Sequence, residues 1–308
     1  MPELPEVQTI VSELNQKLRG LKIISVDVRT PSMVNVGPQT VSNIRKVSLS
    51  AVAQFANFLK GQKIVSVSRR AKLLIFNLSG PFSLMVHLKM TGQFIFEDEK
   101  LKKMTGSKYR ILNKKTAPLV KMPGKHTHVV FNFSGNNTLY YNDVRKFGYL
   151  KIVRDDQIGQ IKELNDYGPE PLDEKYTLKI FLASVKNRGK NKVKQFLMDN
   201  KVVVGIGNIY SDEILFHAKV KPTREIASLS PKELKNVFSW IKPVLKQGIK
   251  AKGSSVGDFI RTNGQSGNMG KFHFVYGRKN EPCKKCGTLI DSVKLGGRTG
   301  SFCPKCQK

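Results

Sequence analysis

The chain has 308 residues, 40% of them hydrophobic, and its 53 Lys and Arg outnumber 23 Asp and Glu for a formal charge of +30. That much apolar material excludes a disordered tail, no run approaches the roughly 18 uninterrupted apolar residues of a spanning helix, and the first residues lack the basic region of a secretory signal. The charge divides evenly, +15 in residues 1–150 and +15 in 151–308, and a nucleic-acid backbone answers it better than a membrane, because no basic amphipathic helix with a clean apolar face stands out.

In chain order, Val7, Ile10, Val11, Leu14 and Leu18 recur at helical spacing and Gly20 supplies a stop, which predicts a first helix. Short runs rich in Val, Ile and Phe follow at 22–29, 63–69, 72–78, 82–88, 93–97, 128–133, 138–141 and 148–153. Turn residues such as Ser79-Gly80-Pro81 and Ser134-Gly135-Asn136-Asn137 part them, and this spacing predicts an antiparallel sandwich or barrel. Residues 40–60 read as a helix, with Val41, Ile44, Val52, Phe55 and Leu59 apolar. Residues 100–126 hold nine Lys or Arg, two prolines and no acid, and read as a long mobile basic loop, either a polyanion contact or a solvated insertion. Tyr167-Gly168-Pro169-Glu170-Pro171 marks a boundary, with helices predicted beyond it at 177–186, 192–198, 208–218, 231–249 and 256–261. A flexible Gly/Ser/Asn-rich loop is expected at 264–271.

All four cysteines lie near the C-terminus, as Cys283-x-x-Cys286 and Cys303-x-x-Cys306 with 16 residues between the pairs. Each spacing lets two thiolates reach one ion, and four complete a tetrahedral shell with no open position. A single structural zinc is favoured over two disulfides or a redox pair, with Lys284, Lys285 and Lys305 beside the thiolates and Gly287 allowing a tight knuckle.

Val204-Gly205-Ile206-Gly207-Asn208-Ile209-Tyr210 fails as a dinucleotide fingerprint, because its third glycine would fall at Tyr210. It reads as helix, double turn, helix, with Gly205 and Gly207 admitting a close ligand. Asn208 opens the second helix, where the backbone N–H groups favour a phosphate and where an ordinary N-cap also fits.

At the other end, a penultimate Pro2 is compatible with removal of Met1 and would become a secondary amine. Free α-amino groups have pKa values of roughly 7.7–8.0, so part of the population is neutral and nucleophilic near neutrality. An amine of this kind attacking a sugar carbon forms an iminium, and Glu3 beside it could pass protons. Taken alone, the pattern also fits a plain helix start with Pro5 and Glu6 in the first turn.

Met1-Pro2-Glu3-Leu4-Pro5-Glu6-Val7 closely resembles the start of the formamidopyrimidine-DNA glycosylases, bacterial base-excision enzymes for oxidised purines. The likeness recurs in Arg69-Arg70-Ala71-Lys72, His87-Leu88-Lys89-Met90-Thr91-Gly92 and Asp143-Val144-Arg145-Lys146-Phe147-Gly148. It continues through Gly168-Pro169-Glu170-Pro171-Leu172, Leu197-Met198-Asp199-Asn200 and Val275-Tyr276-Gly277-Arg278-Lys279. The resemblance implies an α+β fold. An N-terminal antiparallel β-sandwich domain with the first helix would occupy 1–155. A helical helix-two-turn-helix domain would occupy 156–270, and a zinc-finger β-hairpin 271–308, with DNA in the cleft between the walls.

By the same resemblance Pro2 is the nucleophile, Glu3 the acid/base residue, Lys72 serves β-elimination, and Arg298 serves δ-elimination and grips phosphate. Asn208, His126 and a basic residue near Lys190 would contact DNA. Met90, Arg145 and Phe147 would fill the hole left by a flipped base, offsetting a few kcal/mol of lost stacking. Without the resemblance Met90 would be placed on a strand, and it and Phe147 in the core. Glu6 and Glu170 would support the site, and the loop near 264–271 would close over the lesion. The implied partner is double-stranded DNA carrying oxidised bases or AP sites, with no membrane, and the implied setting is a monomer in the bacterial cytoplasm at the nucleoid.

The rivals are an endonuclease VIII-like enzyme for oxidised pyrimidines and a non-catalytic zinc-ribbon DNA-binding protein. Leu4 and the glycine-rich loop before Phe272 favour the purine branch over the first, and intact Pro2 and Glu3 speak against the second. Three departures from the family pattern stand out: the length of 100–126, Val144 where proline is common, and Lys89 where glycine is common.

Overall fold

The computed structural model describes residues 1–39, 48–114, 116–186 and 188–308. The chain forms two compact units, one of Met1–Pro2, Glu6–Asn165 and Lys252–Gly267, the other of Glu3–Pro5, Asp166–Ala251 and Asn268–Lys308.

The first unit starts from α1 (Leu4–Leu18), whose Val7, Ile10, Val11, Leu14 and Leu18 are all buried, as their spacing predicts. After it come β1 (Ile23–Val28), β2 (Val34–Val36), α2 (Leu49–Leu59), β3 (Ile64–Arg70), β4 (Leu73–Leu78), β5 (Phe82–His87) and β6 (Gly92–Glu97). Then follow α3 (Glu99–Thr105), β7 (Lys108–Tyr109), β8 (Val120–Lys121), β9 (Thr127–Phe133), β10 (Asn137–Asp143), β11 (Tyr149–Arg154) and α4 (Lys162–Asn165). The sheets β1-β9-β10-β6 and β2-β11-β5-β4-β3 are antiparallel except that β2 runs parallel to β11. Buried Phe94, Phe131 and Tyr141 of one sheet share a core with Phe76, Val86 and Ile152 of the other and with α1, which makes a sandwich rather than a barrel. The eight predicted runs all form strands, while β2, three residues long, was too short to signal itself. In the predicted 40–60 helix, α2 carries Val52, Phe55 and Leu59, whereas Val41 and Ile44 lie outside the described residues.

The basic stretch 100–126 is not a plain loop. Asp98 caps α3 by accepting the Leu101 N–H, Gly106 ends it in a left-handed turn, and β7 pairs with β8. Tyr109, Ile111 and Met122 are buried, and those scattered apolar residues anchor what the charge count alone makes look solvated.

The second unit is helical: α5 (Leu178–Val185), α6 (Val193–Met198), α7 (Asn208–Ala218) and α8 (Pro231–Lys250), the last opened by a Ser230/Glu233 capping box. The helix α7 is buried almost all round, with Tyr210, Ile214 and Leu215 in the unit's core. A hairpin of β12 (Asp291–Leu295) and β13 (Arg298–Phe302) closes the chain. The predicted helix at 256–261, in the first unit, does not form: the Asp258 and Thr262 carbonyls are taken by the Gln93 side chain (2.6 Å) and the Phe96 N–H (2.8 Å), which draws the backbone sideways. No helix among the described residues is long and apolar enough to cross a membrane.

Candidate active site and zinc centre

The double turn before α7 is shaped by the chain's own N-terminal segment. Gly205 has φ +85°, and a Cβ there would stand 2.8 Å from Leu4, whose N–H donates to the Gly205 carbonyl at 3.0 Å. A Cβ on Gly207 would collide with the Glu3 carboxyl carbon. The glycines therefore admit Leu4 and Glu3, where the sequence suggested a ligand. Glu3 is buried, and its carboxylate accepts the N–H groups of Gly207 (2.7 Å), Ile209 (2.8 Å) and Tyr210 (3.3 Å). These are donors that a helix start leaves without intrahelical partners, and the dipole adds to their hold on an anion. Gly207 holds the N-cap position, so Asn208 is the first helical residue and not the cap. Glu3 occupies the backbone donors of this turn, and the Asn208 side chain is half-buried beside them. Its Oδ1 has no hydrogen-bond partner among the described residues. Pro2, next to Glu3, is buried, and Met1 is exposed.

In the first unit the three candidate wedge residues come together. Met90 and Phe147 are 39% and 53% exposed, too open for core residues, and Met90 lies in the turn after β5 rather than on a strand. The Arg145 guanidinium lies 4.6 Å from the Phe147 ring centroid, and its Nη1 is 3.0 Å from the Met90 sulfur. Beneath them Asp143 is fully buried. It accepts the Thr91 hydroxyl, the Arg145 N–H (3.1 Å) and the Gly148 N–H (2.8 Å), so one carboxylate ties the turn of Met90 to the turn of Arg145 and Phe147. Lys89 sits at φ +49°, a left-handed conformation that glycine enters more readily. Sequence reasoning missed Asp143 and Thr91. Their only signal was a charge and a hydroxyl flanking the wedge motifs.

Lys72 lies between β3 and β4, buried to 8% exposure. Burial pushes nearby His87 down to about 3, with the Lys89 and Lys72 charges adding, so its imidazole is neutral; its Nδ1 accepts the Lys89 N–H at 3.0 Å. His126 is half-buried and likewise lowered, by burial and then by Lys125, His128 and Lys146. Glu6 is buried and accepts the Ser254 N–H at 2.8 Å, both in the first unit. Glu170 is half-buried in the turn at 168–173, and Lys190 is exposed before α6. No hydrogen bond or ion pair among the described residues joins the His126 or Lys190 side chain to the other candidates.

The cysteine module is compact. The four sulfurs lie within 4.8 Å of one another, with Cys283–Cys306 at 4.0 Å and Cys286–Cys303 at 3.5 Å. A disulfide needs about 2.05 Å. A tetrahedron with Zn–S of about 2.3 Å has edges of roughly 3.8 Å, so the set fits one structural zinc. The Lys285 and Cys306 N–H groups point at the Cys283 and Cys303 sulfurs, 3.4 Å each, and Gly287 closes its knuckle at φ +76°. Lys284 instead spans to the Lys271 carbonyl at 3.0 Å. Arg298 opens β13 just after the Gly296-Gly297 turn, its Nη1 3.9 Å from the Met198 sulfur.

Two buried acids of α7 hold this module. Glu213 accepts the Phe274, Val275 and Tyr276 N–H groups at 2.9, 3.1 and 2.9 Å. Asp212 pairs with buried Lys194 at 2.5 Å and accepts the Ser301 N–H of β13 at 3.0 Å. Burial raises the Asp212 carboxyl and lowers the Lys194 amine, and the pairing opposes both shifts. Sequence reasoning missed these as well, although charges inside the apolar run Ile209–Phe216 were a readable sign.

The chain is similar to known proteins along its whole length. Residues 1–150 match the formamidopyrimidine-DNA glycosylase N-terminal domain, 167–259 its H2TH domain, and 280–308 the zinc finger found in FPG and IleRS. Formamidopyrimidine-DNA glycosylase of Pelotomaculum thermopropionicum is 37% identical over 308 residues, with 100% of this chain and 99% of the relative covered. That of Listeria monocytogenes is 36% identical, with 100% of each covered. A solved structure of MutM with carbocyclic 8-oxo-G containing DNA aligns at TM-score 0.80 and 34% identity over 100% of both chains. One of Lactococcus lactis Fpg with abasic site containing DNA aligns at 0.81 and 32% over 99% of both.

Proposed function

The chain belongs to the formamidopyrimidine-DNA glycosylase family, and from that membership we propose that it excises 8-oxoguanine and formamidopyrimidines from duplex DNA as a bifunctional glycosylase and AP lyase. The observation that carries the reading is Glu3, pinned by three backbone N–H groups immediately after Pro2.

With Met1 removed, the Pro2 nitrogen attacks C1′ of the lesion nucleotide. The glycosidic bond breaks and the base leaves with a proton; the C1′–O4′ bond then opens as O4′ takes a proton, and an iminium joins Pro2 to the ring-opened sugar. Glu3, fixed in place, moves protons to and from the sugar. The iminium draws electrons, so loss of a 2′ proton expels the 3′ phosphate and a later elimination expels the 5′ phosphate. A one-nucleotide gap with phosphate at both ends results. Lys72 serves the first elimination and Arg298 the second, each also holding phosphate. Asn208, His126 and Lys190 grip the backbone, and Met90, Arg145 and Phe147 fill the vacated stack, which needs the outward exposure the two apolar residues have. Glu6 supports the site through the Ser254 N–H, and Glu170 through its turn. Cys283, Cys286, Cys303 and Cys306 hold a structural zinc that shapes the hairpin carrying Arg298 and takes no part in the reaction. Residues 1–155, 156–270 and 271–308 are the three working parts of a monomer, acting in the bacterial cytoplasm at the nucleoid.

Borohydride trapping tests the proposal: mature protein and 8-oxoguanine DNA should yield a covalent adduct at Pro2. No adduct, or retention of Met1, overturns the mechanism. Competition between 8-oxoguanine opposite C and thymine glycol reads the lesion class.

A further inference from the structure

The basic stretch 100–126 serves a neighbour in its own unit. Tyr109, Ile111 and Met122 are buried in one cluster with Ile260, and the Tyr109 ring lies 2.7 Å from where a Cβ of Gly264 would stand. Asn113 then meets the Lys252–Gly267 segment at two points. Its Nδ2 donates to the Ser255 carbonyl at 2.6 Å, and its Oδ1 accepts the Ser266 hydroxyl at 2.8 Å. These serines form the neck of a loop whose ends lie side by side: the Gly267 N–H donates to Ser255 Oγ at 2.8 Å, and a Cβ on Gly267 would collide with the Gly253 carbonyl. A single amide thus spans both strands of the neck.

The loop body is held elsewhere. Glu13 takes Arg261 Nε (2.6 Å), the Thr262 N–H (3.0 Å) and the Thr262 hydroxyl (2.7 Å), and Gln93 takes the Asp258 carbonyl. What Asn113 adds is the position of the exit, from which the chain runs on toward Phe272.

We infer that Asn113 is a positioning residue for base excision, fixing the exit at Ser266 and Gly267 from which the chain leaves for the stretch that covers a flipped base. The inference rests on the proposed function. It separates the two activities: covering a base matters while a base is present, and an AP site has none.

The test uses the full chain, with Asn113→Ala and Ser266→Ala. Single-turnover excision of 8-oxoguanine opposite C is set against nicking of preformed AP-site DNA, with melting to show that each variant is folded. Asn113→Ala should lower excision about tenfold, the worth of one or two hydrogen bonds, and leave AP-site nicking within about twofold. Ser266→Ala should move the same ratio in the same direction by about threefold, since it removes one bond. Parallel loss of both activities, or unchanged excision in a folded Asn113→Ala, overturns the inference. Should Asn113→Ala fail to fold, the ratio in Ser266→Ala decides. If the unaltered protein neither excises nor nicks, it is the proposed function that fails. Hydrogen exchange at 264–267 still reads the latch in that case, faster in the variants if it holds and unchanged if it does not.

Discussion

In the first unit the exposed trio Met90, Arg145 and Phe147 stands on turns, and the carboxylate that organises those turns, Asp143, is a separate and fully buried group. At the start of α7 the anchor and the working group are one: Glu3 is held by the amides of the helix start and is itself the group proposed to move protons. In the first arrangement the functional side chains can be altered without touching the anchor. In the second, nothing can be changed without changing both. The wedge should therefore respond to mutation by degrees and the Glu3 site nearly all at once.

The largest effect is expected at the zinc centre, an anchor with no chemistry of its own. Cys303→Ser should remove on the order of 10 kcal/mol of metal-linked folding energy from the module. The readouts are loss of bound zinc in elemental analysis and loss of amide protection in β12 and β13. A hairpin that stays protected without metal would mean that Glu213 and Asp212 suffice. Next comes Glu3→Gln. The carboxylate uses both oxygens, so the amide must turn its NH2 toward one set of N–H donors; the melting temperature should fall together with excision, the latter by about 10²–10⁴, the usual worth of a positioned acid/base group. A large loss of melting temperature with a small loss of rate would reverse the contrast drawn above.

Asp143→Ala is expected to cost about 3 kcal/mol in a denaturant melt, because buried N–H groups lose a charged acceptor. It should depress excision more than cleavage of AP-site DNA, since a flipped base needs the wedge. The smallest effect is a pH dependence from His87. Its folded-state value is depressed from 6.5 to about 3, so the unfolded chain takes up the proton first. The stability this neutral imidazole contributes is complete above about 6.5 and drains away as the pH falls toward 3. Between pH 7 and 5 the unaltered protein should lose about 2 kcal/mol more than His87→Gln, measured by melts at both values.

Much of this was legible in the residues. The α1 spacing, the eight strand runs and the two Cys-x-x-Cys pairs each carry a period or spacing that local physics dictates. The opening motif pointed to Pro2 and Glu3 through its resemblance to a family, since chemistry alone fitted a plain helix start as well. Other parts have no local signature. Residues 256–261 look helical until Gln93, distant in sequence, claims the Asp258 carbonyl. The stretch 100–126 looks solvated because charge masks three buried side chains. The partnership of Lys194, Asp212 and Ser301 joins three separate elements, and only folding brings them together.

The closeness of Gly207 to Glu3 also has a practical use. The space that any side chain at 207 would need is already filled by the Glu3 carboxyl carbon, so this position tolerates nothing beyond a hydrogen atom. Gly207→Ala should therefore dislodge Glu3 from its amides, and the adjoining Pro2 with it, while leaving the wedge and the zinc hairpin as they are. Such a protein would be a reagent: one added methyl group would turn a cutter into a reader that finds and grips damaged DNA and leaves the strand whole.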